Sequence, residues 1–581
     1  MPSPKMAIVL AAAIAHLPLF FFDILQTADG YIHVNTAISY SHHVTITSPY
    51  PRWLVQNQNG FGSPFLFFYP PLLYAVFFAI ESISFSTPDE KTIVGLSLTL
   101  FSIFQGMGLY FLSRIYLSKK FSAVVGFCGI FLPYHALVNV TVRGALPEYC
   151  ALSFTPWILY AVAYERSKKN LTPSASSFTV VAVGYALTIL THLPTAIILA
   201  PLLIVFVVSM SGTLQQRIRF SFEFSATFCF ALGIGAMLAA PLLVPGLMYR
   251  NNIATVWASS HPILDPSRAR FLISTVLGQQ VPDMKFADVI GVFWLTTCLA
   301  IFVRALYLRE NLVLVSPYAI TAAFALAGFL GVPFFLWEEG GPLSIVIFPM
   351  RFLHFFELFV FLCAAFYFLS SPRLRLFSWR RTCAITIACA AVITSLNFVQ
   401  LFRLSQIEIP PWRAERIDAM WQANEYLPAQ ATREEVLDLE RRVLDSKREL
   451  VSGEGVILLD ADFSDGAVSF SLSSSEAVEV SVRQFWFPGW QLEDLRTGFA
   501  FESSIDPEYR TLLYEIPAGT WELELSRRMT LAEKLGWFLF CVSLVILFAT
   551  RRLLGIFAAH RGRGKAGHCS NHGIGDSKRN S

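Results

Sequence analysis

The sequence predicts a mainly α, polytopic helical membrane protein with an extracytoplasmic α+β or β-sandwich domain placed before its last helix. Two observations carry this expectation. Hydrophobic residues make up 54% and charged residues 15% of the 581 residues, with a mean hydropathy of +0.53, whereas roughly a quarter of a soluble chain is charged. The apolar residues also gather in long runs, with the charges between them.

The runs are 6–25, 92–112, 121–139, 150–164, 178–192, 195–210, 222–244, 287–303, 312–330, 344–369, 383–399 and 531–550, which gives about twelve transmembrane helices. The first follows MPSPK without a small-residue cleavage site before Asp29, so it reads as a retained helix. Basic clusters at Arg114/Lys119/Lys120, Arg166/Lys168/Lys169, Arg217/Arg219, Arg304/Arg309, Arg373/Arg375/Arg380/Arg381 and Arg551/Arg552 fall in alternate connections. The positive-inside rule places them all in the cytoplasm only if the run 65–83 does not cross. That run is therefore expected to be a re-entrant or interfacial helix, consistent with Pro70-Pro71 at its start and Glu81 near its end. The resulting plan is a transmembrane domain 1–402 with its first external loop at 26–91, an extracytoplasmic domain 403–530, a last transmembrane helix 531–550 and a disordered basic cytoplasmic tail 551–581.

Within 403–530, the part 410–450 is helical by the spacing of Val436, Leu437, Leu439, Val443 and Leu444. Across 455–526 the runs 456–459, 468–472, 478–482, 512–516 and 521–525 alternate with period two between Gly and Pro, the pattern of antiparallel strands. The aromatic group Phe485-Trp486-Phe487-Pro488-Gly489-Trp490 reads as core and turn.

A net charge of +3 is too small to suggest nucleic acid. The nine cysteines are scattered, and 403–528 contains none, so no disulfide framework is implied. There is no Gly-rich phosphate loop, no Cys pair at zinc spacing and no Gly-x-Ser-x-Gly elbow. Asn139-Val140-Thr141 matches a glycosylation acceptor, a tripeptide common by chance.

The assigned topology collects Asp29, His33, Arg52, Arg143, Glu148, His192, Arg250, Arg268, Arg270, Glu338, Glu339 and Arg351 on the outer face. Many are ordinary loop residues. Asp29, Arg143, Glu148 and Arg351 stand out because they sit beside apolar helix ends in short connections, where an unpaired charge is costly. The stretch 27–74 is the densest, holding Asp29, His33, Arg52 and Trp53 before Phe65-Leu66-Phe67-Phe68-Tyr69-Pro70-Pro71.

The pattern Thr27-Ala28-Asp29-Gly30 with His33, then Pro51-Arg52-Trp53, Gly60-Phe61-Gly62-Ser63-Pro64 and Phe68-Tyr69-Pro70-Pro71-Leu72, resembles the first external loop of GT-C type membrane glycosyltransferases. More closely it is similar to the bacterial group labelled 6-pyruvoyl-tetrahydropterin-synthase-related membrane proteins, a label not read here as pterin chemistry. Arg143-Gly144-Ala145-Leu146-Pro147-Glu148, Thr191-His192-Leu193, Pro349-Met350-Arg351-Phe352-Leu353, Glu425-Tyr426-Leu427-Pro428 and Phe487-Pro488-Gly489-Trp490 resemble later blocks of that group. The resemblance implies a GT-C-like fold in the cell (inner) membrane and a polyprenyl-phosphate-linked sugar as donor. It also implies an acceptor glycan, lipid or protein outside the cytoplasm, and an acidic residue of the first external loop at the reacting centre. Where many such enzymes carry Asp in the second external loop, this chain has Glu148.

Glycosyl transfer from a phosphate needs a base for the acceptor hydroxyl and positive charge on the departing phosphate. Asp29 suits the first task, with His33 one helical turn on to orient it or to ligate a cation, and Glu148 joins them as a catalytic candidate. Arg52, Arg143, His192 and Arg351 are the candidates for substrate binding, the guanidiniums because they hold phosphate bidentately. Asp29 with Glu148 could bind a divalent metal. Two other readings fit the same residues: a lipid or glycolipid transporter or flippase, and a non-catalytic membrane protein that presents a β domain.

Overall fold

The computed structural model describes residues 3–45, 48–84, 89–168, 173–211, 218–254, 300, 312–331, 336, 350–370, 379–430, 432–447, 449–453, 456–460 and 467–568. Among them, six helices are long and apolar enough to cross a membrane: Glu90–Arg114, Lys119–Val142, Leu193–Met210, Arg351–Ser370, Arg381–Ser405 and Leu531–Leu554. The pair Phe222–Leu238 and Ala240–Asn252, bent by 70°, makes a seventh if taken as one span.

The shortfall from twelve has identifiable causes. Prolines interrupt several apolar runs. The run expected at 121–139 still counts as one span, Lys119–Val142, although its helix stops at Ile130, passes Pro133 and restarts as a π-helix, Tyr134–Val142. The run 150–164 divides into Leu146–Leu152 and Thr155–Ser167, the second opened by Pro156. Pro4–Phe20, Ala175–Thr191 and Leu314–Phe329 form shorter apolar helices. The run 287–303 lies almost wholly outside the described residues, as do Arg268, Arg270, Glu338 and Glu339.

The run 65–83 is broken at Tyr69-Pro70-Pro71 into Phe65–Phe68 and Leu72–Ile83. The 12 residues of the latter reach about 18 Å, short of a hydrocarbon core of roughly 30 Å. Arg351–Ser370 is the central helix, with 78% of its window buried, whereas 22% of Arg381–Ser405 and 28% of Leu531–Leu554 are buried, as expected of helices at the lipid-facing periphery. The last helix continues to His568, past the point at which a disordered tail was expected from 551.

The C-terminal domain begins with Pro411–Asp418 and with Arg433–Leu444, whose start is fixed by a reciprocal Thr432/Glu435 capping box. Nine strands follow: β1 (Val451–Ser452), β2 (Val456–Asp460), β3 (Ala467–Ser474), β4 (Val478–Phe485), β5 (Trp490–Asp494), β6 (Ala500–Phe501), β7 (Ser503–Ile505), β8 (Thr511–Ile516) and β9 (Gly519–Arg527). They form two antiparallel sheets, ordered β1-β4-β8-β7 and β2-β3-β9-β5-β6. All five expected strands are present, and Phe485, Phe487 and Trp490 are buried core residues.

This domain shares its core with the loop 51–68. Trp53, Val55, Phe61 and Phe67 pack in one cluster with Val480, Phe485, Phe487 and Trp490. Trp53 Nε1 donates to Gln484 Oε1 at 2.7 Å, and Gln484 Nε2 donates to the Gly60 carbonyl at 2.9 Å. Asn59, held at φ 55°, directs its side-chain amide to the carbonyls of Val443, Leu444 and Ser446 at 2.9, 3.3 and 3.3 Å. Loop and domain therefore form one rigid unit above the helices.

Candidate functional site

Asp29 is placed by backbone contacts. Its N–H donates to the Arg143 carbonyl at 2.7 Å, which joins the first loop to the connection before Glu148. The approach needs two glycines: a Cβ on Gly30 would lie 2.0 Å from the Ile24 carbonyl oxygen, and one on Gly144 would lie 2.1 Å from Thr27 Oγ1. Gly144 also sits at φ +69°, a region that favours glycine. From the C-terminal domain, Arg413 Nη1 donates to the carbonyls of Leu25, Gln26 and Thr27 at 3.5, 2.6 and 3.2 Å, which holds the strand of chain leading to Asp29.

Asp29 is the N-cap of the helix Gly30–His43, yet its side chain makes no capping hydrogen bond. Asp29 as a residue is half-buried. Burial raises its pKa, opposed by Arg143 and Arg351 and reinforced by Glu148. It thus lies within electrostatic reach of both guanidiniums.

Those guanidiniums converge on one carboxylate. Arg143 Nη1 donates to Glu148 Oε2 at 3.0 Å and Arg351 Nε donates to the same oxygen at 3.2 Å. The Glu148 side chain is 1% exposed and the two arginines 14% and 13%. Burial works to raise the Glu148 pKa, but Arg143 and Arg351 outweigh it and bring it down to about 2. Its other oxygen accepts from Asn139 Nδ2 at 3.3 Å and lies 3.9 Å from His354 Nδ1. Arg143 makes all three of its hydrogen bonds, to Glu148, Asn139 Oδ1 (2.9 Å) and Tyr134 Oη (3.4 Å), through Nη1.

The remaining candidates divide. His192 is buried, bonds Thr195 Oγ1 at 2.7 Å and lies within electrostatic reach of the Glu148 cluster. His33 is buried on the helix after Asp29, but its ring bonds Tyr74 Oη at 3.0 Å instead of the Asp29 carboxylate, and burial lowers its pKa to about 3. Arg52 does not join the cluster. Its guanidinium donates to the carbonyls of Pro241 (2.5 Å) and Leu66 (3.4 Å), lies over the Tyr50 ring and sits 3.9 Å from Glu533 of the last helix. It braces the loop against that helix. Arg250 belongs to a short 3-10 turn without a buried side chain.

A metal role for Glu148 does not fit, because two guanidiniums share one of its oxygens and an amide donor takes the other. Among the described residues no three His, Cys, Asp or Glu side chains converge as a metal-ligand group. The glycosylation reading of Asn139 also fails, since that side chain is fully buried.

Glu425 is a residue whose role the sequence did not disclose. Its turn, Asn424–Tyr426, is fixed by Trp421 Nε1 donating to Asn424 Oδ1 (3.0 Å) and by Asn424 Nδ2 donating to Glu440 Oε2 (2.6 Å). Gln422 Nε2 donates to Thr36 Oγ1 at 3.0 Å, which seats this segment on the helix that Asp29 starts. Burial raises the Glu425 pKa and the nearby Asp29 charge raises it further, so it is a second carboxyl within electrostatic reach of Asp29 and Arg351. The sequence signal was the block Glu425-Tyr426-Leu427-Pro428.

No protein-family model matches the chain, and no curated protein matches it. Among solved structures, it is similar to the oligosaccharyltransferase of Archaeoglobus fulgidus. The crystal structure of that protein with Zn and sulfate has a TM-score of 0.35 and 14% identity, covering 70% of this chain and 54% of that one. The apo form gives 0.34 and 13%, covering 72% and 60%. The form tethered to an acceptor peptide containing the NVT sequon gives 0.31 and 14%, covering 68% and 55%. This chain thus spans little more than half of that protein's length, and at these TM-scores the likeness is too loose to carry fold or function.

Proposed function

We propose that the chain is an integral membrane glycosyltransferase that moves a sugar from a polyprenyl-phosphate donor to an extracytoplasmic acceptor, as its resemblance to GT-C enzymes implies. The observation that supports this most is Asp29, half-buried, its side chain without a capping bond and its backbone tied to Arg143. Asp29 takes the proton of the acceptor hydroxyl while that oxygen bonds to the anomeric carbon. The bond from this carbon to the phosphate oxygen breaks, and the phosphate leaves with both electrons. Arg143 and Arg351 stabilise the charge that develops there, and Glu148 holds the two cations together when the site is empty of substrate. Arg143 Nη2 and Nε have no partner among the described residues, which leaves that edge of the fork for phosphate. Lipid-linked donors present their phosphate at the membrane surface, and the basic clusters in alternate connections support an outward-facing site.

A flippase is the second reading, favoured by the ionisable residues buried inside the helices, among them His16, His135, His354 and Glu357. Purified protein in lipid vesicles with a polyprenyl-phosphate sugar separates the readings. A transferase releases polyprenyl phosphate in the presence of acceptor, a flippase moves the intact lipid, and a scaffold does neither.

A further inference from the structure

Below the Arg143–Glu148–Arg351 cluster the buried polar groups are ordered along two helix faces. On Arg351–Ser370 they are Arg351, His354 and Glu357, three residues apart. On the π-helix Tyr134–Val142 and its C-cap they are His135, Asn139 and Arg143, four residues apart, a spacing that the wider π turn keeps on one face. The faces meet rung by rung. Arg351 and Arg143 share Glu148 Oε2. Asn139 Nδ2 contacts His354 Nδ1 at 3.3 Å, and His135 Nδ1 lies 2.6 Å from His354 Nε2. At the bottom, the Glu357 carboxylate accepts the backbone N–H of Tyr134 on Oε1 at 3.1 Å and that of His135 on Oε2 at 3.2 Å.

The last contact has a specific cause. The helix preceding this segment ends at Ile130, and Pro133 has no N–H, so the restarted segment begins with N–H groups that the interrupted helix cannot serve. Inside an apolar bundle such groups are costly unless another element supplies an acceptor. Glu357, fully buried, supplies it from the neighbouring helix, and a carboxylate at a helix start also complements the local dipole. Its bonds to the Tyr134 and His135 backbone make Glu357 a cap. Because it holds the start of the segment whose C-cap is Arg143, and lies on the same helix as Arg351, it fixes how far one face slides along the other.

We propose that Glu357, with the His135–His354 contact above it, is a positioning residue that sets the register between the two helices and so places Arg143 opposite Arg351. This rests on the reading above only for its consequence, the binding of the donor phosphate. The register itself is tested without donor. In full-length protein in lipid, the pair Arg143→Cys and Arg351→Cys is treated with a short bifunctional thiol reagent, and the peptides linked between positions 143 and 351 are quantified by mass spectrometry, with Glu357 intact and with Glu357→Asp. The shorter carboxylate keeps the charge but withdraws the cap. Linkage is expected to fall on the order of tenfold, as when a supporting partner of a site is displaced. Unchanged linkage overturns the inference. If Glu357→Asp lowers yield too far to measure, Glu357→Gln, which keeps the length and one acceptor, replaces it with the same outcomes. In the protein with both arginines, Glu357→Asp should weaken polyprenyl-phosphate binding on the order of tenfold, without adding to the loss from Arg143→Lys. A purely structural role lowers yield and leaves the affinity of the folded Glu357→Asp fraction unchanged while Arg143→Lys weakens it, which also overturns the inference. If linkage falls while neither Glu357→Asp nor Arg143→Lys alters lipid-phosphate binding, the register role stands and the donor-site reading fails.

Discussion

The backbone N–H of Asp29 and the carbonyl of Arg143 are joined at 2.7 Å, so the candidate base and a candidate phosphate ligand move as one unit. Each is followed by a glycine, Gly30 and Gly144, whose missing Cβ atoms allow the two loops to touch. Acid–base and electrostatic groups of one reaction need this fixed relation, because small misplacements cost large factors in rate.

Gly144→Ala tests that contact. The new Cβ would lie 2.1 Å from Thr27 Oγ1 and 2.7 Å from the Gly30 nitrogen, on a backbone at φ +69°. A loss of about 1–2 kcal/mol from the left-handed backbone alone is expected, with sugar transfer falling further because Asp29 is displaced. Thermal unfolding and transfer assays on matched preparations check it; parental values in both would show that the loops are not in contact.

Glu148→Gln should destabilise the protein. It leaves two partly buried guanidiniums without their shared counter-ion, a change worth about 3 kcal/mol. The parent has the complementary acid sensitivity. Because the Glu148 pKa is lowered to about 2 from an ordinary 4.5, its contribution is fully present above 4.5 and is lost as pH falls through the lowered value. Thermal midpoints measured from neutral to acid pH should converge for parent and variant. A constant gap would assign the effect to packing.

Arg143→Lys and Arg351→Lys keep the charge and lose the planar fork. Polyprenyl-phosphate binding should weaken by roughly tenfold or more in each, the scale of one charge-assisted hydrogen bond. Binding measured in lipid nanodiscs is the check. Parental affinity in both would leave the arginines as partners of Glu148 alone.

The rate of transfer should rise with pH through the pKa of Asp29, since the base acts as a carboxylate. Burial raises that pKa above the ordinary 3.8, so the acid limb of the profile lies above the usual Asp range. The stability effect has the opposite sign: a raised carboxyl costs nothing below 3.8 and destabilises the fold as pH rises through its folded value. Asp29→Asn should therefore unfold at the parental temperature or higher near pH 7. A marked fall in its midpoint would show that the charge is structurally required.

Much of this site was legible because charge beside an apolar helix end is rare. Asp29, Arg143, Glu148 and Arg351 were singled out on that ground, and the fold places them within reach of one another. The sequence could not show that both arginines would take one carboxylate, because Arg351 lies 203 residues from Glu148. Nor could it show that Arg52 would lie beside Glu533, which belongs to the last helix. Among the strands, β2, β3, β4, β8 and β9 were readable; β1, β6 and β7, of two or three residues, are too short to show a period, and β5 was missed because it begins at Trp490, in the aromatic group read as core and turn. The count of membrane helices was least legible, because Pro156 and Pro241 sit inside runs that remain apolar on both sides.

The most direct test of the central claim is sugar transfer by Asp29→Asn beside the parent, with purified protein in lipid, a polyprenyl-phosphate-linked sugar and an acceptor, read as release of polyprenyl phosphate. Asn keeps the size of the side chain and removes its charge, so donor binding should persist while transfer falls by roughly a hundredfold or more. Near-parental transfer by the Asn variant, at matched expression, would contradict the account.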